Sequence, residues 1–376
     1  MTVEVGGPAG RPASATGRRV MFAGGGTGGH VYPALAVARE ILRMDAQAQV
    51  SFVGTARGLE ARVVPREGLA LDVIRSAGLK GKSLAERLRG LALLPLSAWD
   101  AWRVLRRRRP TVVVGVGGYS SGPVVLLAAV TGRRTMLMEQ NAVPGLTNRL
   151  LGRIVDAAAV SFDSALAYFG GKGFVSGNPV RTGVSDLALS ATRSGDPLRL
   201  LIFGGSQGAH AINAAVTEAA TFLAAFPRAL VVTHQTGARD QEHVSAAYES
   251  AGVQARTEAF LFDLDREMAA ADLVVCRAGA TTLAEIAAAG RAAILVPLPT
   301  ATDDHQRRNA GVLAEAGAAE VLDQRDLSGP VLADRITTLL LDDGRRGRME
   351  AAVRRLGRPD AARVVAERVL ALADAA

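Results

Sequence analysis

Apolar residues along this chain come in two alternating rhythms. Short unbroken runs, such as VMFAG at 20–24 and LRLLIF at 198–203, have the length of strands buried on both faces. Runs of the same kind are QVSFVG (49–54), TVVVGVG (111–117), TMLMEQN (135–141), ALVVTHQTG (229–237), LVVCRAG (273–279) and AAILVPLP (292–299). Between them apolar positions recur at helical spacing. Strand and helix in alternation predict parallel sheets covered by helices, the α/β class.

The pattern also repeats. RRVMFAGGGTGGHVYPALAVAREIL from Arg18 is echoed by LRLLIFGGSQGAHAINAAVTEAA from Leu198, and at an offset of 180 residues Gly24, Gly25, Gly28 and His30 fall on Gly204, Gly205, Gly208 and His210. A period this long marks a duplicated domain, not a solenoid repeat. The expected architecture is two doubly wound, Rossmann-like domains facing a central cleft, where the strand C-termini bind ligands. Residues 1–17, rich in Gly, Pro, Ala, Ser and Thr, are expected to be a disordered extension. The first domain should span 18–181 and the second 182–356, with the seam near GNPVRTGVSD (177–186). A closing helix over 357–376, with Pro359 and Asp360 at its start, should pack back towards the first domain.

Composition narrows the class. A length of 376 residues suits two ordinary domains. The single cysteine, Cys276, excludes a disulfide framework and fits a reducing compartment. No apolar run approaches the ~18 residues of a membrane span. The chain is expected on the cytoplasmic side.

The net charge of +8 is uneven: residues 80–109 hold nine basic side chains against Glu86 and Asp100. Lys80, Lys82, Arg87 and Arg89 open this segment, and Trp99 and Trp102, both tryptophans of the chain, lie among its leucines. Basic residues mixed with Leu and Trp suit a surface that meets anionic lipid headgroups. The plainer alternative is an amphipathic helix pair with Leu and Trp in the core and its arginines solvated. No nucleic-acid partner is expected.

Gly24-Gly25-Gly26-Thr27-Gly28-Gly29 satisfies the dinucleotide fingerprint G-x-G-x-x-G. An NAD site would also need an acidic residue at the end of the second strand, yet that strand runs into Gly54-Thr55-Ala56-Arg57. What remains is a glycine turn at a helix N-terminus, an anion site in general, with His30 beside it. An imidazole near neutral pKa is the best candidate for a general base, the alternative being a phosphate hydrogen bond only. Glu139 and Tyr119 are lesser catalytic candidates.

Seven stretches in order carry a resemblance: GGGTGGHVYPALA, GVGGYSSGP (115–123), MEQNAVPGLTNRL (138–150), GNPVR (177–181), GGSQGA (204–209), RAGATTLAEIAAAG (277–290) and DDHQRRNA (303–310). Together they resemble the MurG family, peptidoglycan N-acetylglucosaminyltransferases of the GT-B fold, over roughly residues 18–370. Three positions depart from the family pattern: Met138 stands for a usual histidine, FLFDL (260–264) for Phe-Ile-x-x-Met, and DDHQ for Asp-Asn-His-Gln.

The resemblance implies transfer of GlcNAc from UDP-GlcNAc to the 4-hydroxyl of the MurNAc unit of lipid I, giving lipid II with inversion. It implies a peripheral enzyme at the cytoplasmic membrane face and leaves a partner in the cell-wall or division machinery open. UDP-GlcNAc would meet Thr27, Gly28 and Gly29, but mainly the second domain. There Ser206, Gln207 and Gly208 would offer hydroxyl, amide and backbone donors, and Arg181 would pair with the diphosphate. Glu285, within Ala280, Thr281, Thr282, Leu283, Ala284 and Glu285, would take the ribose hydroxyls. Leu261 would contact uracil, while Asn141, His305 and Gln306 would contact the sugar, Gln306 through both donor and acceptor. No cofactor and no protein-bound metal are expected, although Asp263 and Asp265 have D-x-D spacing. The competing classes are a non-hydrolysing UDP-GlcNAc 2-epimerase and a non-catalytic sugar-nucleotide binder.

Overall fold

The computed structural model describes residues 17–76, 93–180, 195–205 and 208–376. Two compact units result, Met1–Val180 with Asp360–Ala376, and Arg181–Pro359.

In the first unit β1 (Arg19–Gly24), β2 (Gln49–Gly54), β3 (Ala70–Val73), β4 (Val112–Gly117), β5 (Arg134–Glu139), β6 (Ala157–Val160) and β7 (Gly173–Val175) form one sheet in the order 3-2-1-4-5-6-7. Every pairing is parallel, with Phe22 opposite Phe52 and their rings stacked at 5.1 Å. Central strands in such a sheet are covered on both faces, which is why β1 and β4 read as continuous apolar runs. The helices α1 (Gly28–Met44), α2 (Glu60–Arg66), α3 (Leu94–Arg108), α4 (Ser121–Val130) and α5 (Leu146–Leu151) belong to the same unit. On α1 the buried Val31, Ala34, Leu35, Ala38 and Ile41 follow helical spacing and meet Val20, Phe22 and Val114 of the sheet.

The second unit repeats the plan with six parallel strands, β8 (Leu198–Phe203), β9 (Leu230–Gln235), β10 (Ala255–Glu258), β11 (Leu273–Cys276), β12 (Ala293–Leu295) and β13 (Glu320–Val321), in the order 10-9-8-11-12-13. Its helices are α6 (His210–Ala224), α7 (Gln241–Ala251), α8 (Leu264–Ala270), α9 (Ala280–Ala289), α10 (His305–Glu315), α11 (Gly329–Leu341) and α12 (Asp343–Leu356). The expected doubly wound pair is borne out.

The last helix, α13 (Ala361–Asp374), belongs to the first unit. It places Val365, Ala366, Val369 and Leu370 in the core shared with α1. Arg18 fastens its end by pairing with Asp374 at 2.6 Å.

In both sheets the strand order reverses beside the first strand, between β1 and β4 and between β8 and β11. Loops leaving the two sides of such a switch point diverge and open a crevice for ligand. Both glycine turns of the sequence lie there.

Candidate functional site

At the first switch point β1 runs into the glycine turn and β4 into Gly117-Gly118-Tyr119. The Gly25 N–H donates to the Gly117 carbonyl at 3.1 Å. The Gly26 N–H donates to a carboxylate that sequence reasoning missed, Glu60 Oε2, at 2.7 Å. Glu60 is fully buried, and its Oε1 accepts from the Thr55 N–H at 2.8 Å and the Thr55 hydroxyl at 3.0 Å. An acidic residue therefore does follow the second strand, but it faces the loop's own amide and not a ribose. The expectation that this turn is simply an open anion site changes accordingly: Gly25 and Gly26 are already engaged, and Thr27, Gly28 and Gly29 stand at the start of α1.

His30 lies in the first turn of α1. Its Nδ1 is 3.2 Å from the Gly25 carbonyl and 3.3 Å from Thr27 Oγ1. A carbonyl can only accept, so the Gly25 contact is a hydrogen bond when Nδ1 carries the proton, which leaves Nε2 as the basic nitrogen in that tautomer. Gly117 makes room for the ring, since a Cβ there would come within 2.8 Å of Nε2. Tyr119 is 60 % exposed, and its backbone carbonyl accepts from Ser76 Oγ at 2.9 Å.

Glu139 has a different occupation. It is buried, and its oxygens accept from the Asn141 N–H at 3.0 Å, Asn141 Nδ2 at 3.1 Å, the Gly145 N–H at 3.1 Å and Asn148 Nδ2 at 2.9 Å. Burial raises its pKa against the opposing pull of those bonds. Four bonds to one carboxylate shape the loop from Asn141 to Asn148.

In the second unit the echo proves inexact. Here the helix begins at His210 itself, and the His210 Nδ1 meets Asp240 at 3.0 Å instead of a loop carbonyl. The Gly208 N–H, expected to face phosphate, closes a turn on the Gly205 carbonyl at 3.0 Å. Gly208 is required for space, because a Cβ there would stand 2.0 Å from the Thr236 carbonyl. Ser206, Gln207 and Arg181 lie outside the described residues.

A second missed residue, Gln235, joins two expected donor loops. Its Nε2 donates to the Gly205 carbonyl at 2.6 Å, and its Oε1 accepts from the Leu261 N–H at 2.9 Å. Leu261 is buried, with its amide so engaged, between the exposed Phe260 and Phe262. The signal for Gln235 was a polar residue inside a buried strand run.

Glu285 sits midway along α9 at 7 % exposure, so it is not a solvated surface charge. Burial, with the nearby Glu285 charge adding to it, raises the Cys276 pKa and keeps that thiol inert. Ala280 and Leu283 are buried beside Glu285, while Thr281, Thr282 and Ala284 are half-buried. Gln306 accepts from the Leu298 N–H at 3.0 Å through Oε1, and His305 Nδ1 meets the Thr302 carbonyl at 2.6 Å. Just before them Asp303 and Asp304 have φ of +56° and +54°, a left-handed conformation that Asn and Asp tolerate best after glycine. Asp263 precedes α8 and Asp265 lies in its first turn, so this D-x-D marks a helix start favoured by the helix dipole.

Behind the second glycine turn His234 is buried, its Nδ1 3.2 Å from the Tyr248 hydroxyl and its Nε2 3.1 Å from Asn213 Oδ1. Burial lowers its pKa to about 3. The unfolded chain binds a proton below about pH 6.5 that the folded one refuses, so stability is full above that pH and falls below it. About 2 kcal/mol should be lost by pH 5. Thermal unfolding at pH 7 and pH 5 should show a smaller loss for His234→Gln than for the wild type. Equal losses would remove His234 as the cause.

On α3 the buried positions are Ser97, Asp100, Ala101, Val104 and Leu105. Trp99 and Trp102 are 54 % and 37 % exposed, stacked at 5.0 Å, with the Arg106 guanidinium 5.0 Å above the Trp102 ring. This corrects the alternative that both tryptophans sit in the core. Arg107 and Arg108 are not simply solvated either, since both pair with the buried Asp72. Lys80, Lys82, Arg87 and Arg89 lie outside the described residues.

Known proteins resemble this chain across both units. Residues 20–160 match the glycosyltransferase family 28 N-terminal domain and residues 199–365 its C-terminal domain. The chain is 49 % identical, over 93 % of its length and 91 % of the relative's, to an Anaeromyxobacter dehalogenans protein named UDP-N-acetylglucosamine--N-acetylmuramyl-(pentapeptide) pyrophosphoryl-undecaprenol N-acetylglucosamine transferase. A Syntrophus aciditrophicus protein of the same name is 45 % identical over 94 % of this chain and 98 % of its own. The crystal structure of Acinetobacter baumannii MurG superimposes with a TM-score of 0.77 at 31 % identity, covering 94 % of this chain and 99 % of that one. The chain belongs to glycosyltransferase family 28, as a member of its MurG family with the GT-B fold.

Proposed function

We propose that His30 takes the acceptor proton, and that the second unit holds the nucleotide, in the transfer this enzyme performs: GlcNAc passes from UDP-GlcNAc to the 4-hydroxyl of the MurNAc unit of lipid I, with inversion. The observation that carries the reading is the place of His30 Nδ1, 3.2 Å from the Gly25 carbonyl. With Nδ1–H turned to the Gly25 carbonyl, Nε2 is the nitrogen able to accept the hydroxyl proton as its oxygen attacks the anomeric carbon. The departing diphosphate needs positive potential, which the N-terminal ends of α6 and α9 supply together with Ser206, Gln207 and Arg181. Glu285 takes the ribose hydroxyls, and Leu261 packs against uracil. Gln306, with Oε1 on a backbone amide, gives its Nε2–H donors to a sugar hydroxyl. Asn141 and His305 complete the sugar contacts, and Glu139 shapes the loop that carries Asn141.

The test is UDP release with and without a lipid I analogue. Release should require the acceptor and yield one disaccharide product per UDP. Acceptor-independent conversion of UDP-GlcNAc to its 2-epimer would favour an epimerase, and binding without release a non-catalytic protein.

Because lipid I lies in the bilayer, the enzyme docks peripherally on the anionic membrane surface. Among the described residues no helix is long and apolar enough to cross a membrane. Exposed Trp99 and Trp102 beside Arg106 have the chemistry of an interfacial anchor. Changing Lys80, Lys82, Arg87 and Arg89 to Gln should weaken salt-sensitive co-sedimentation with anionic vesicles, each charge being worth about 1 kcal/mol near the surface. Transfer to a soluble short-chain acceptor should persist. Undiminished vesicle binding would move the dock elsewhere.

A further inference from the structure

Glu60 has no place in the sequence motifs, yet it occupies a slot made for it. A Cβ added to Gly25, Gly54 or Gly58 would fall within 2.4 Å, 2.3 Å or 2.2 Å of Glu60 side-chain atoms. Three glycines thus close around one buried carboxylate. Its hydrogen bonds come from Gly26 and Thr55, which tie the loop after β1 to the loop after β2.

The Gly26 N–H and the Gly25 carbonyl are two ends of a single peptide group. Glu60 Oε2 accepts from the first at 2.7 Å, and His30 Nδ1 faces the second at 3.2 Å. We propose that Glu60 is a positioning residue for His30, acting through the Gly25–Gly26 peptide: the carboxylate polarises the amide, and the amide carbonyl orients the imidazole. A negative charge at the N–H end draws electron density towards the carbonyl oxygen and strengthens its bond to Nδ1–H. That bond fixes the tautomer with Nε2 basic, and it strengthens again when the ring becomes cationic. The arrangement does with one intervening peptide what a carboxylate does by direct contact in a hydrolase triad. The inference rests on His30 being the base.

On α1 itself Arg39 pairs with Glu67, and Arg43 with Glu40. Arg57 and Arg62, either side of Glu60, are exposed, as is Tyr119 beyond β4, and Tyr32 follows on α1. Glu139 at the end of β5 is engaged with Asn141, Gly145 and Asn148. On α13, Arg363 pairs with Glu367 and with Asp360 just before the helix, and Asp374 pairs with Arg18.

The test is a titration of His30 by nitrogen NMR in the wild type and in Glu60→Gln, beside the pH profile of transfer. The wild type should hold its proton on Nδ1, and the Gly26 amide signal should follow the titration of His30. In Glu60→Gln the His30 pKa should fall by roughly one unit. The acidic limb of kcat should shift with it and kcat should drop about tenfold, while KM for UDP-GlcNAc stays unchanged. Glu60→Asp, which keeps the charge, should recover part of the shift. A folded Glu60→Gln with an unmoved His30 pKa would reduce Glu60 to a structural support. Should that variant not fold, a wild-type Gly26 amide indifferent to His30 protonation, or a proton on Nε2, would overturn the proposal just as directly. If the pKa moves but His30→Ala keeps its rate, the coupling stands and the base assignment falls.

Discussion

His30→Ala should lower kcat by about 100-fold or more, the usual scale for loss of a general base. Affinity for UDP should be kept, because the nucleotide is assigned to the other unit. His30→Asn sharpens the test: its amide can still donate to the Gly25 carbonyl but cannot take a proton from the acceptor. It should be as slow as the alanine variant. An active asparagine variant would make His30 a hydrogen-bonding residue only. His210→Ala, at the echoed position, should cost far less. The His210 ring starts its helix, is largely exposed and leans on Asp240, so it lacks the carbonyl that fixes His30. Comparable losses at both histidines, measured as steady-state kcat, would sink the distinction.

That contrast shows where sequence reasoning reached and where it stopped. Glycine turns after β1 and β8 were legible because a turn next to a buried strand needs backbone freedom that few residues other than glycine have. Gly24 and Gly205, with φ of +137° and +90°, are such positions. The strands that were missed are short: AAAV of β6, whose alanines equally suit a helix, and β7, β10 and β13, of two to four residues each. β3, four residues with an aspartate inside, escaped for the same reason.

Glu60 was invisible for a different reason. Its meaning lies in a bond to Gly26, 34 residues earlier, and no local pattern carries that information. The traces it leaves are Gly54 and Gly58, conspicuous only once the carboxylate between them is seen to need the room. Gln235 and Leu261 are 26 residues apart and pose the same difficulty. Trp99 and Trp102 illustrate a third limit. Their spacing fits a core helix and an interfacial one equally well, and only the fold shows that Val104 and Leu105 face inward while the indoles do not.

Glu285→Ala should weaken binding of UDP and of UDP-GlcNAc alike by tenfold or more. The ribose is common to both, so a residue that holds it cannot discriminate between them. Two hydroxyls donating to one carboxylate form charge-assisted bonds worth about 1.5–3 kcal/mol each, and a tenfold loss needs only about 1.4 kcal/mol. The margin allows for water replacing the carboxylate in the variant. Its location supports the magnitude, since at 7 % exposure on α9, close enough to Cys276 to raise that thiol's pKa, Glu285 acts in a poorly solvated setting. There hydrogen bonds are stronger than at a surface. Titration calorimetry with UDP and with its 2′,3′-dideoxy analogue completes a cycle. The wild type should bind the dideoxy compound more weakly than UDP, whereas Glu285→Ala should bind the two equally. Unchanged UDP affinity in the variant would refute the role. Equal penalties for the dideoxy compound in both proteins would show that the ribose hydroxyls are held by another group.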